Sequence, residues 1–260
     1  MDSRFTFHKK LGSGGYGTVY LALDHESKQH VALKVLDKCY SPKASLSEEV
    51  DFLTRLTGHK NIITLISHGE LDSLPYMILE YIEDTLMSYM RKRGEIPVEQ
   101  QLSISLQLAK AVAFCHSNSV VHRDITSLNT LISGIGQVKL ADFNSSCEFG
   151  DKDSCWVGLL PYRAPELLHL YTERNILFDY SVDMWSYGCI MAELFSKDHR
   201  RVFEFEIETC YLREEAKRLL SSEGFLCEYQ NKHNLVMMTL QLDPQKRATA
   251  EQVVQEINTY

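Results

Sequence analysis

Asp124, Asn129 and Asp142 stand in two polar breaks between apolar runs, Val120-Val121-His122-Arg123-Asp124-Ile125-Thr126-Ser127-Leu128-Asn129 and Ala141-Asp142-Phe143-Asn144. Taken singly, each aspartate has an ordinary reading as a turn or cap residue. Together they offer a carboxylate base and an Asn–Asp oxygen pair suited to magnesium. Far upstream, Gly12-Ser13-Gly14-Gly15-Tyr16-Gly17-Thr18-Val19 fits G-x-G-x-x-G-x-V. Glycine removes the Cβ and lets backbone amides approach phosphate oxygens. Alone, the run is equally a glycine-rich turn. A dinucleotide fold would place a helix directly after it, but Thr18-Val19-Tyr20-Leu21-Ala22-Leu23 continues as strand, which makes the run a hairpin lid. Lys34 ends the apolar stretch Val31-Ala32-Leu33-Lys34. A lysine there either snorkels to the surface or needs a partner. The helix SLSEEVDFLTRL supplies one. Glu49 shares a face with Phe52, Leu53 and Leu56, whereas Glu48 faces mainly with Asp51, Phe52 and Arg55. Glu49 is therefore expected to point inward to Lys34, and Glu48 to solvent. A phosphate-covering loop, a paired lysine, a base and a cation pair form a set for phosphoryl transfer. That reaction asks for positioning and charge neutralisation more than covalent chemistry.

These residues lie far apart in the chain, so a fold must gather them. Val19–Leu23 and Val31–Leu36 read as strands joined by the turn DHESKQ, and Ile62–Ser67 and Tyr76–Tyr81 as two more. Residues 45–57 read as a helix. From about residue 85 the pattern is helical, over 98–117, 181–196, 233–241 and 249–258, with Leu102, Leu106, Ala109 and Ala113 on one face of 98–117. A β-rich part followed by a helical part predicts an α+β chain with two lobes. No internal repeat, low-complexity tract or long linker interrupts it. A length of 260 residues sets one or two domains, and 44% hydrophobic residues exclude a mainly disordered chain. Thirty-five acidic against 27 basic side chains leave a net charge of −8, which argues against a nucleic-acid partner. Seven cysteines without C-x-x-C spacing argue against disulfides or structural zinc and for reduced thiols in an intracellular protein. MDSRFTFHKK has no apolar signal core, and the chain has no apolar run long enough for a membrane span.

In order and spacing these motifs resemble the catalytic domain of the eukaryotic protein kinases, over almost the whole chain. The matching stretches are the glycine run, Val31–Lys34, His122-Arg123-Asp124 with Asn129, Asp142-Phe143-Asn144, Ala164-Pro165-Glu166, Asp183–Gly188 and Arg247. The resemblance implies one bilobal kinase domain over 1–260. Its β-rich N-lobe with one helix would run to about residue 80, its hinge over about 80–84, and its larger helical C-lobe from about 85. It implies ATP and Mg2+ as cofactors and proteins as substrates. Leu11, Gly12, Ser13, Gly14, Gly15, Tyr16, Gly17, Thr18 and Val19 would cover the nucleotide. Lys34, held by Glu49, would bind the α- and β-phosphates. Leu79 would stand behind the adenine, and Glu80, Tyr81 and Ile82 would form the hinge that pairs with it. Asp124 would accept or orient the substrate hydroxyl proton, while Asn129 and Asp142 would hold magnesium. Asp183 would tie down the catalytic-loop backbone, and Glu166 would pair with Arg247. Tyr162–Leu168 and Val182–Leu194 are most similar to the cyclin-dependent branch. That implies a serine/threonine kinase of the cytoplasm or nucleus with a cell-cycle or transcription role. A cyclin-like activating subunit is a further implied partner, although KASLSE before Glu49 is no cyclin-binding signature.

The chain departs from the family pattern in several places. Asn144 replaces the glycine of D-F-G, and asparagine tolerates a left-handed backbone there. Thr126 stands where serine/threonine kinases keep a lysine that contacts both the transferred phosphate and a threonine, and that threonine position is Leu159. The paired loss leaves a second reading, a pseudokinase acting as scaffold or allosteric partner. The stretch after residue 196 is shorter than in the cyclin-dependent branch. Gly158 matches a position where that branch turns a carbonyl away from the substrate and accepts proline after the acceptor; glycine reaches positive φ without strain. Tyr16 matches an inhibitory phosphorylation position. Ser154 matches an activating one that would pair with Arg123.

Overall fold

Five strands build the first lobe: β1 (Phe5–Gly14), β2 (Gly17–Asp24), β3 (Gln29–Val35), β4 (Leu65–Leu71) and β5 (Leu74–Glu80). They form one antiparallel sheet in the order β1-β2-β3-β5-β4. The computed structural model describes residues 4–15, 17–36, 43–71, 74–153, 158–168, 176–203, 212–225 and 234–260. The period of two along β3 sorts its side chains. Val31 and Leu33 join Phe5, Ala22, Tyr76 and Ile78 in a small cluster on one face. Ala32 and Lys34 face the opposite way, toward α1 (Lys43–Arg55) and the cleft. The turn between β2 and β3 falls at 25–28, where Asp24 accepts from Glu26 N, Ser27 Oγ and Arg4 Nε at 2.9–3.2 Å.

One expected strand is corrected. The run Ile62–Ser67 does not enter the sheet as a unit, because β4 starts only at Leu65. Asn61 O and Ile63 N instead bond Leu140 N and O at 2.8 and 2.9 Å, in β9 (Val138–Leu140). The apolar run divides its backbone hydrogen bonds between the lobes, and so docks the sheet onto the second lobe.

The second lobe contains α2 (Leu86–Arg93), α3 (Val98–Ser117), α4 (Ser181–Phe195), α5 (Leu212–Leu220), α6 (Asn234–Thr239) and α7 (Ala250–Ile257). Short strands frame its upper face: β6 (Asp84–Thr85), β7 (Val120–Val121), β8 (Thr130–Ile132), β9 and β10 (Cys147–Glu148). Helices α3, α4, α6 and α7 fall where periodicity places them. Helices α2 and α5 lie outside that expectation. On α3, Ala109 is buried, but Leu102, Leu106 and Ala113 are only partly so. Ile104, Leu108, Ala111, Val112 and Cys115 are buried as completely as Ala109. The reason is packing from several sides, by α4, α7, β7 and β9, so the buried surface wraps round the helix. Helix α4 is buried throughout from Val182 to Phe195. Among the described residues, no helix is long and apolar enough to cross a membrane.

Candidate active site

A cleft of about 500 Å³ opens between the lobes. The hairpin of β1 and β2 roofs it, pairing Gly12 with Val19, Ser13 with Thr18 and Gly14 with Gly17. Leu11, Gly12, Ser13, Gly14, Gly17 and Val19 line the cleft; Gly15 and Thr18 belong to the hairpin but not to the lining. Tyr16 lies outside the described residues. Gly17 has φ +133°, and a Cβ there would sit 2.4 Å from Val35 O, so the hairpin requires glycine at this position. Ala32, Leu79, Ile82 and Leu131 supply apolar walls. Glu80 turns its carboxylate to Lys139 Nζ at 2.6 Å and Thr64 N at 2.7 Å.

Lys34 Nζ donates to Glu49 Oε1 and Oε2 at 3.1 and 2.9 Å. Glu49 is buried and Glu48 exposed, the orientation that helical spacing predicts. The same ammonium reaches Asp142 Oδ1 at 3.0 Å, a contact that spacing gave no sign of. Burial opposes charge on Lys34, but Asp142 and Glu49 outweigh it and hold the ammonium above its ordinary range. Asp142 is held below its ordinary range, because Lys34 overcomes the effect of burial.

Asp124 lies beside Asn129, which lines the cleft. Its Oδ2 accepts from Asn129 Nδ2 at 2.7 Å, and its Oδ1 from Leu159 N at 3.0 Å. Burial and then the charge of Asp142 push its carboxyl up to about 6. Asp183, fully buried, accepts from the backbone N–H groups of His122 and Arg123 at 2.8 Å each. Those bonds hold Arg123 at φ 64°, a left-handed conformation rare outside glycine. Arg247 forms a two-bond fork with Glu166 at 2.5 and 2.7 Å, under the A-P-E turn.

Asn144 corrects the reason given for it. It lies in the right-handed 3-10 turn Phe143–Ser145, and the left-handed residue is Asp142, at φ 66°. Asn144 Nδ2 donates to Asp142 Oδ1, and Asn144 Oδ1 is buried without a partner. Thr126 is buried too; its Oγ1 accepts from Asn129 N at 3.1 Å, so the hydroxyl shapes the loop. Leu159 meets the site through its backbone N–H. Arg163, which sequence reasoning did not single out, donates to Gly158 O at 3.0 Å. Gly158 has φ +81°, and a Cβ there would lie 2.5 Å from Arg123 O.

Ser154 lies outside the described residues. The surface beside Arg123 carries Arg55 but also Glu48, Asp51, Glu148 and Asp151, a net negative setting for a phosphate. Arg123 itself donates to Ser145 O and packs over the Phe178 ring at 4.6 Å.

Asp142 and Asn129 Oδ1 are hard oxygen donors on one cleft wall, a pair that fits magnesium. The glycine hairpin, the apolar walls and the Lys34 ammonium fit a nucleotide triphosphate. A family model described as "Protein kinase domain" matches residues 5–257.

Proposed function

The chain belongs to the protein kinase family, and on that premise we propose that it is an active, ATP- and magnesium-dependent enzyme that phosphorylates serine and threonine hydroxyls of protein substrates. The observation that carries this reading is the linked set Lys34–Glu49–Asp142 in one cleft with Asn129, whose amide bonds Asp124. Lys34 neutralises the phosphates, and Glu49 fixes where it points. Asp124 orients the acceptor hydroxyl and takes its proton. Asn129 and Asp142 hold magnesium, which when bound offsets charge on the transferred group. Glu49 meets Lys34 within this one chain. The stretches Tyr162–Leu168 and Val182–Leu194 support a place near the cyclin-dependent branch, and the cysteine pattern a setting in cytoplasm or nucleus. The pseudokinase reading draws on Thr126, a neutral, buried residue at the usual lysine position. A peptide-pool assay with Mg-ATP separates the two. Phosphate incorporation is expected in the wild type, with a loss of at least about 100-fold in Asp142→Asn. Equal rates in both would leave the scaffold reading.

Substrate choice follows from Gly158. Its positive φ and the Arg163 bond to its carbonyl support an oxygen turned away from an incoming peptide, as in the cyclin-dependent branch. A peptide library is expected to favour proline after the acceptor, since proline brings no N–H that needs this carbonyl. Arg163→Ala is expected to cut the preference, by up to about tenfold for one lost hydrogen bond. A library without gain for proline would remove the idea.

A further inference from the structure

Asn144 is a residue whose side chain has no counterpart in the D-F-G pattern. Its right-handed backbone gives asparagine no conformational advantage, so the side chain must account for what the position does. Asn144 Nδ2 and Lys34 Nζ converge on a single oxygen, Asp142 Oδ1. Two donors on one oxygen fix the rotation of the carboxylate. They leave Oδ2 without a hydrogen bond among the described residues, in a side chain that is 42% exposed. The far side of this segment is fixed as well, since Phe143 is buried and packs edge-on against His122 at 4.6 Å. Asn144 Oδ1 lies buried and unpartnered at the wall of the nucleotide cleft. A buried amide oxygen without a donor is costly, and a hydrated cation carries the O–H donors it lacks.

We propose that Asn144 is a positioning residue of the metal site, which holds Asp142 with one oxygen open to the cleft and so tightens magnesium binding beside the nucleotide. Glycine at this position offers neither the donor nor the acceptor. The inference rests on the magnesium-dependent reading above and adds a chain-specific residue to it. Outer partners that orient a metal ligand are worth about 10–100-fold in metal affinity.

The test needs no turnover. Binding of a non-hydrolysable ATP analogue to the full chain is measured while Mg2+ is titrated, in wild type, Asn144→Gly and Asn144→Ser. Asn144→Gly is expected to raise the half-saturating Mg2+ concentration about tenfold, with binding of the metal-free analogue unchanged. Asn144→Ser, which keeps a short donor and acceptor, is expected to fall between and serves if the glycine variant fails to fold. A purely structural role for Asn144 would weaken binding with and without metal alike, and that result would overturn the proposal. So would identical Mg2+ dependence in all three proteins. A wild type whose nucleotide binding ignores Mg2+ would overturn the proposed function as well, which distinguishes the two failures.

Discussion

Lys34→Met is expected to abolish phosphotransfer and also to lower the melting temperature, and the two losses are separable. Lys34 and Glu49 are both buried, with Glu49 1% exposed. Removing the ammonium strands a carboxylate in the core. Breaking a buried pair from one side costs about 3–5 kcal/mol, less what Glu49 recovers by taking up a proton. For a chain of this size that is a fall of about 6–15 °C. Adding Glu49→Gln removes the stranded charge, so the double variant is expected to regain most of the melting temperature. It does not regain turnover, because no cation then faces the phosphates. Asp142 also loses its partner at 3.0 Å and keeps only the Asn144 amide. Calorimetry and a peptide phosphorylation assay on the two variants check both halves. Turnover near wild type in the double variant would remove Lys34 from the chemistry.

What was legible in the sequence was local. Apolar and β-branched runs exposed β2 and the Lys34 strand, and helical spacing alone separated Glu49 from Glu48. The Lys34–Asp142 contact joins residues 108 positions apart, and no periodicity encodes it. It depends on the docking of β9 against Asn61–Ile63, within a run that reads as an ordinary strand. An apolar β-branched run states that it will be buried, not which partner will bury it. The stripe on α3 misled for a related reason: a helix packed from several sides has no single apolar face. Asp183 and Arg247 were legible only through the kinase resemblance, because a buried charge is recognised by its partners and these lie on other elements. Asn144 was read by its backbone preference alone, and the carboxylate its amide meets two residues earlier went unread.

Asp124→Asn is expected to lower kcat by about 10²–10⁴-fold and to leave nucleotide affinity nearly unchanged. Asp124 does not line the cleft that would hold the nucleotide, so binding there has little to lose. Its two oxygens each accept a bond, from Asn129 Nδ2 and Leu159 N. An amide can satisfy only one of those donors, so some of the loss will come from a loosened loop. The pH profile isolates the rest. Burial and the nearby charge of Asp142 push the Asp124 carboxyl up to about 6. A base works only when deprotonated, so activity is full above that value and falls as pH drops through it. In kcat/KM for ATP, which reports the free enzyme, the wild type should lose about tenfold per unit below pH 6. The residual rate of Asp124→Asn should lack this limb, since an amide does not titrate. A loosened loop alone would lower the rate equally at every pH and keep the limb. Normal kcat with weakened nucleotide binding would overturn the assignment of Asp124 as the base.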